Sequence, residues 1–369
     1  MTKNIAPPPT KAFAQPRQSN IELLRLLCMF LIVLQHVIKS AVYPEIQTDG
    51  LWTAGSYIGA FSLGFVCIAV NCFILISGYF GIKFKLRHLV NLYTICAFYN
   101  LIAYGIHIGL DDAHIGKSLI LNTLFPFSHS TWWFINCYVQ LFFLSPLLNI
   151  AISHLSKQSH LFIIVLMAII NTYLGHFWHT PLYDDGMSTM HFIFMYIIGR
   201  YLGLHISTTI IEQNRAKWLL LFLGCSSLSG ILKCINHLGF LDLPNALSNN
   251  SLLMIGSAIG LLLYANSFHF TNKFINNIAI STLAIYLGHE HEYINHHIYT
   301  FISKSQDEYL DFSINYQDVL GRISLAILSS LFICLFLILF DRIRLLLMKP
   351  IWKIYNQIEA RINRFMPRE

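Results

Sequence analysis

The chain has 369 residues, of which 55% are hydrophobic and only 11% are charged, and its mean hydropathy is +0.57. Soluble domains carry roughly 25% charged residues, so this composition excludes an ordinary soluble protein and predicts a polytopic membrane protein. The net charge of +6 does not indicate nucleic-acid binding, because the basic residues are dispersed among short loops and the two ends of the chain. The eight cysteines lie in apolar runs without CxxC spacing, and we expect them to be buried free thiols.

Residues 1–18 are rich in Pro, Lys and Gln and are predicted to form a disordered cytoplasmic tail. Ten apolar runs follow, each near the length of about twenty residues that an α-helix needs to cross a bilayer. They lie approximately at residues 21–43, 56–80, 88–110, 131–150, 160–178, 189–206, 216–236, 250–268, 274–296 and 322–346. The sequence therefore predicts an all-α integral membrane protein, a bundle of about ten transmembrane helices in one domain, residues 19–346.

Charge placement orients these helices. If both termini are cytoplasmic, the inner loops hold nearly all the basic loop residues and the outer loops nearly all the acids, as the positive-inside rule requires. The inner set is Lys83, Lys85, Arg87, Lys157, Arg215, Lys217 and Lys273. Residues 347–369 form a basic cytoplasmic tail, which is either solvated or an amphipathic helix on anionic lipid.

The first apolar run, Ile21–Tyr43, contains Glu22, Arg25 and His36. Eleven helical residues make three turns plus about 20°, so Arg25 and His36 share one face and are separated by about 16 Å of rise. A charged or titratable side chain inside a membrane span is costly and indicates function unless it only pairs with protein.

The second run ends near Ser77-Gly78, where we expect the chain to leave the helix, and Lys83, Lys85 and Arg87 follow at the predicted inner face. This basic cluster has two interpretations. It could bind the phosphates of a cytosolic nucleotide-bearing donor, or it could only anchor the helix at the cytoplasmic surface.

The fourth run opens with Trp132-Trp133 and continues through Tyr138. Paired tryptophans at an outer interface are typical of an aromatic belt, but they could also stack on a sugar ring at the mouth of a cavity. Polar groups such as the Tyr138 hydroxyl should face the interior of the bundle.

The ninth run ends in a histidine-rich segment, residues 284–297, which includes His289, Glu290 and His291. On one helix His289 and His291 point about 200° apart, so they do not form a zinc site and no metal is expected. A proton relay or a contact to a substrate hydroxyl is the functional interpretation, and a plain outer-surface cluster is the alternative.

These motifs together resemble the membrane acyltransferase-3 family over residues 19–346. The similarity rests on Glu22-x-x-Arg25-x(10)-His36, on Ser77-Gly78-Tyr79, on the stretch from Trp133 to Ser145-Pro146, and on Tyr286-Leu287-x-His289. The chain is most similar to stand-alone members that O-acetylate bacterial surface polysaccharides or their lipid-linked precursors. It departs from many relatives at Tyr138-Val139, where they carry a glutamate pair, and at His88 and Asn91, where they often carry arginines.

The resemblance implies a multi-pass enzyme of the bacterial cytoplasmic membrane that takes acetyl from cytosolic acetyl-CoA, without a metal, and places it on an extracytoplasmic glycan. It implies Arg25 and His36 as the functional pair, with Arg25, Lys83, Lys85 and Arg87 on the donor side. Trp133, Tyr138, His289 and Glu290 are then expected at the acceptor.

In this scheme His36 is either the general base or a transient acyl carrier, and Glu22 holds the guanidinium of Arg25. The competing hypothesis is a proton-coupled transporter of a sugar or lipid-linked oligosaccharide, with the same two residues as its coupling site. The oligomeric state remains open.

Overall fold

The computed structural model describes residues 17–47, 51–111, 116–127, 132–240, 243–309 and 316–365. Most of the tail predicted at residues 1–18, and the outer-loop acids Asp49, Asp112, Asp242 and Asp311, lie outside these ranges. The structure is 84% helical, and no strand occurs in the part of the chain that it describes. All eight cysteines are free thiols, as predicted, and six of them are buried.

The α-helices of the described chain are numbered in chain order. They are α1 (Ser19–Val37), α2 (Ala54–Val66), α3 (Ala69–Phe80), α4 (Leu86–Leu110), α5 (Lys117–Leu124), α6 (Trp133–Ser153), α7 (Lys157–Ile170), α8 (Thr189–His205), α9 (Thr208–Gln213), α10 (Arg215–His237), α11 (Leu252–Asn266), α12 (Lys273–Ile278), α13 (Thr282–His289), α14 (Glu292–Tyr309) and α15 (Tyr316–Phe365). Two π-helical turns, Ile38–Val42 and Asn171–Phe177, prolong α1 and α7.

All ten predicted apolar runs are helical over most of their length, which confirms an all-α integral membrane fold. Seven helical segments in the described chain are long and apolar enough to cross a bilayer, with α2 and α3 together counted as one. They are Ser19–Val42, Ala54–Phe80, Leu86–Leu110, Trp133–Ser153, Lys157–Phe177, Arg215–His237 and Val319–Glu359. The other three runs form shorter helices: α8, α11 and the pair α12–α13.

Segments that the charge pattern assigns to one side of the membrane touch each other at one end of the bundle. The amide of Ser19, at the start of α1, donates to the carbonyl of Phe270, next to the predicted inner loop. At the opposite end the side chain of Gln306 in α14 donates to the carbonyl of Val42. Each contact joins two segments that the charge pattern places on the same side of the membrane, while the number of spans and the side of each terminus stay predictions.

Helices α3 and α8 pack closely through glycines. A Cβ on Gly78 would lie 2.4 Å from the carbonyl oxygen of Tyr196, and one on Gly203 would lie 2.2 Å from that of Tyr79. The prediction that the chain leaves the helix at Ser77-Gly78 is wrong, because α3 continues to Phe80 and ends at Gly81 with a φ of +75°. Gly78 instead provides the close approach of two helix backbones.

The histidine-rich segment does not lie on one helix, as the sequence suggested. Helix α13 ends at His289, Glu290 caps it with a φ of −107°, and α14 begins at Glu292. The side chain of His291 is buried and contacts Oδ1 of Asn100. Three consecutive inward-facing residues are incompatible with a continuous helix, since neighbours on a helix are about 100° apart.

Helix α15 is a single helix of 50 residues, about 75 Å long, against a hydrocarbon core of about 30 Å. It continues through Pro350 past the boundary expected at residue 346. The guanidinium of Arg87 lies 5.4 Å from the ring centre of Trp352, on this extension. Contact of the extension with the lipid surface stays a prediction.

Candidate active site

Helix α1 carries Glu22, Arg25 and His36 on one unbroken α-helix, so the predicted separation of about 16 Å along its axis holds. All three side chains line one cavity of about 610 Å³. This cavity, here called the main cavity, therefore extends along α1 for about three turns.

The arginine end of the main cavity has the geometry that the sequence predicted. Nη1 of Arg25 donates to Oε1 of Glu22 at 2.7 Å, and the Glu22 side chain is only 9% exposed. This charge-assisted hydrogen bond orients the guanidinium of Arg25. The other N–H groups of the guanidinium make no hydrogen bond to the described chain.

A second cavity of about 320 Å³ adjoins this end and shares Arg25, Ser77 and Tyr138 with the main cavity. Lys83 and His88 also line it, so it leads toward the predicted inner face. Of the four basic residues assigned to the donor, Arg25 lines both cavities and Lys83 lines the second. Lys85 is exposed at the start of α4, and Arg87 lies against Trp352. The donor roles of Lys85 and Arg87 stay predictions.

The histidine end joins α1 to the break between α13 and α14. Nδ1 of His36 lies 2.9 Å from Oε2 of Glu290 and 3.1 Å from Nε2 of His289. The hydroxyl of Tyr299 donates to the same Glu290 oxygen at 3.0 Å. His289 and Glu290 were predicted to contact substrate, and the structure places both of them on His36.

These partners assign the protons of the neutral imidazoles. Nδ1 of His289 lies 2.6 Å from the carbonyl oxygen of Ile285, which can only accept, so Nδ1 carries the hydrogen and Nε2 the lone pair. Nδ1 of His36 faces this lone pair and the Glu290 carboxylate, and it must therefore be the donor. Nε2 of His36 is left with the lone pair on a ring that lines the main cavity. A histidine held in this way by a carboxylate can take a proton from a hydroxyl.

Trp133 and Tyr138, both predicted at the acceptor, line the main cavity, but Tyr138 also lines the second cavity with Arg25. The acceptor role of Tyr138 stays a prediction. Trp133 is half-buried and lines the cavity, which favours the interpretation as a cavity wall over the aromatic belt. The neighbouring Trp132 is 1% exposed and packs edge-on against the ring of His291 at 5.2 Å.

The outer rim of the main cavity was not found from the sequence. Asp185, Asn245, Ser248 and Asn249 line it, and the amide of Asn249 donates to the carbonyl of Asp185 at 3.0 Å. Asp185 has a φ of +51°, an unusual value for a residue other than glycine. The two loops lie 60 residues apart, and no pattern in either indicates that they meet. Tyr299 was missed for the same reason, since its partner is also set by tertiary structure.

The side chains at the histidine end, those of His36, His289 and Glu290, could also hold a cation. His36, His289 and Glu290 each offer one ligand atom, and these atoms lie within 4.8 Å of one another. Two imidazoles and a carboxylate are a ligand set that zinc accepts. His291, which the sequence suggested as the partner of His289 in a zinc site, lies apart against Asn100. The expectation that no metal binds stays a prediction.

Comparison with known protein families identifies the family of the chain. The family model described as an acyltransferase domain, acyltransferase-3, matches residues 18–340. The chain belongs to the acyltransferase-3 family. No curated protein and no solved structure matches it.

The protein is therefore a membrane acyltransferase. The residues matched by the family model include every helix that lines the cavities. The resemblance seen in the sequence is confirmed at family level. The transporter hypothesis gains no comparable support.

Proposed function

We propose that this acyltransferase moves acetyl from cytosolic acetyl-CoA to a hydroxyl of an extracytoplasmic surface polysaccharide, or of its lipid-linked precursor, in the bacterial cytoplasmic membrane. The observation that carries the proposal is that Arg25 and His36, three turns apart, line one cavity whose far rim is polar. Such a cavity lets a donor enter from one side of the membrane and an acceptor from the other.

The donor binds at the end that carries Arg25. Its guanidinium is oriented by Glu22, and Lys83 and His88 line the adjoining cavity. Cationic groups suit the phosphates of coenzyme A, and the planar guanidinium can bind a phosphate through two N–H groups. The narrow pantetheine arm then extends along α1 toward His36.

The acceptor hydroxyl reaches His36 from the outer rim. Nε2 of His36 takes the hydroxyl proton while the hydroxyl oxygen forms a bond to the thioester carbonyl carbon. The tetrahedral intermediate then collapses, the carbon–sulfur bond breaks, and the coenzyme A thiolate leaves with the proton from His36. Glu290 stabilises the imidazolium that exists between these two proton transfers.

His36 could instead carry the acetyl group. In that route Nε2 attacks the thioester, coenzyme A leaves, and the acetyl-imidazole later passes its acetyl to the acceptor. We favour the base, because one cavity joins the two residues and the donor arm need not stop at Arg25.

The function is tested with the purified protein in proteoliposomes, labelled acetyl-CoA, and surface glycan from which mild base has removed the esters. We expect label in alkali-sensitive esters on the glycan and one free coenzyme A per ester. Absence of glycan label would refute the proposal. Rapid quench without glycan decides the route: label that stays on the protein and disappears in His36→Ala would show the carrier and contradict the base.

A further inference from the structure

A third cavity, of about 420 Å³, has Glu290 in its wall, and Glu290 contacts His36 in the wall of the main cavity. It is bounded by the π-turn after α1 and by α14, at the predicted outer end of the bundle. All eight residues that line it have polar side chains, whereas the main cavity is lined by many apolar residues. We call it the α14 cavity.

Two rows of side chains on one face of α14 form most of its wall. Asn295, Tyr299 and Ser303 make the first row, and His296, Thr300 and Lys304 make the second. Residues four apart on a helix are neighbours on its surface, so these rows lie side by side. Ser40 contributes a hydroxyl from the opposite wall.

Most of these polar groups have no partner in the described part of the protein. The side chains of Ser40, Asn295, Thr300, Ser303 and Lys304 make no hydrogen bond to any residue that the structure describes. Asn295, Thr300 and Ser303 are nevertheless half-buried. Donors and acceptors that face a common space without partners are suited to a ligand that carries many hydrogen-bonding groups.

The chemistry of the lining selects the class of ligand. An acyl chain is disfavoured because every residue of the wall carries a polar group and the Tyr299 ring is the one large apolar surface among them. A phosphate is disfavoured because the one lysine is accompanied by the carboxylate of Glu290, and the rest of the wall is hydroxyl, amide and imidazole. Mixed donors and acceptors of this kind match the hydroxyl groups of a sugar, and the volume lies within the range of about 300–1,000 Å³ of ligand sites.

We propose that the α14 cavity binds a sugar unit of the acceptor glycan other than the unit that is acylated. The inference rests on the proposed function, because it assumes a glycan acceptor. The contact between His36 and Glu290 links the walls of the two cavities, since His36 lines the main cavity and Glu290 lines the α14 cavity. Oε2 of Glu290 accepts from His36 and from Tyr299, and no hydrogen bond in the described chain occupies its other oxygen. A sugar in the α14 cavity thus lies one residue away from the proposed base.

The test compares acceptor and donor kinetics of the full-length protein with the base-treated surface glycan as probe. The double variant Asn295→Leu/Thr300→Val removes two polar groups at nearly constant volume, and Lys304→Gln removes the charge of an exposed side chain. We expect the KM for glycan to rise about tenfold in the double variant and about threefold in Lys304→Gln, while the KM for acetyl-CoA is unchanged.

Ser305→Ala is the matched control. The Ser305 hydroxyl bonds the carbonyl of Phe301 on the same helix and does not line the cavity, so the KM for glycan should not change. A glycan KM within twofold of wild type in both test variants would overturn the inference and leave the proposed function intact. Failure of the wild-type protein to acylate the glycan would instead overturn the proposed function and this inference with it. If the double variant does not fold, Lys304→Gln alone decides, because its side chain is exposed.

Discussion

Nδ1 of His36 lies 2.9 Å from Oε2 of Glu290, although the two residues come from the first helix and from the break between α13 and α14. His36 lines the main cavity and Glu290 lines the α14 cavity. In the neutral imidazole this contact places the hydrogen on Nδ1, so the lone pair is on Nε2.

Replacing His36 should remove activity without removing the fold. We expect His36→Ala to lower the rate of ester formation by about 10²- to 10⁴-fold, because the proton acceptor is lost. The measurement is labelled glycan formed by purified protein. His269→Ala is the control, since that ring is exposed and bonds Glu212 away from the cavities. Full activity in His36→Ala would contradict the central assignment.

Glu290 should act through His36. The near-isosteric Glu290→Gln removes the charge that stabilises the imidazolium, and we expect kcat to fall about 10- to 100-fold with the KM for acetyl-CoA unchanged. Glu290→Asp, which restores the charge on a shorter side chain, should recover part of kcat. Equal losses in both variants would point to packing alone and contradict this role.

Arg25 should affect the donor and not the acceptor. Arg25→Lys keeps a positive charge but loses the planar set of N–H donors, so we expect the KM for acetyl-CoA to rise about tenfold. Glu22→Gln should shift the same parameter in the same direction, because Glu22 orients the guanidinium. An unchanged donor KM, or a change confined to the glycan KM, would place the donor elsewhere.

Treatment with a chelator distinguishes two interpretations of His36, His289 and Glu290: a hydrogen-bonded cluster and a metal centre. Because hydrogen bonds account for the 2.9 Å and 3.1 Å contacts of His36, we expect EDTA to leave the rate unchanged and elemental analysis to find substoichiometric zinc. Stoichiometric zinc that is lost together with activity, and that restores activity when returned, would show that the cluster is a metal centre.

Gly78 should be essential for packing. In Gly78→Ala the new Cβ would lie 2.4 Å from a backbone oxygen of α8, so we expect a loss of about 1–3 kcal/mol, seen as a lower unfolding temperature in detergent. Gly105→Ala is the control, since a Cβ on Gly105 would have no described atom within 4 Å and helix propensity favours alanine. Equal stability of the two variants would contradict the packing assignment.

The site was predicted in part. The relative positions of residues on one helix were predicted correctly. The helical repeat alone determines that Glu22 contacts Arg25 and that His36 lies on their face of α1. The assignment of His289 and Glu290 to substrate missed their contact with His36, since nothing in the sequence shows that α1 passes the α13–α14 break. For the same reason the sequence did not show that His36 joins His289 and Glu290 in a set of possible zinc ligands.

Hydropathy and charge by themselves determined that this protein is an all-α membrane protein, and the motif spacing indicated its family, because both depend on local composition and helical periodicity. Only the tertiary structure decided which nitrogen of His36 is free, how α3 and α8 approach, and that loops 60 residues apart form one rim. Those features depend on contacts between distant segments, which local patterns do not encode. The bond between His36 and Glu290 is such a contact.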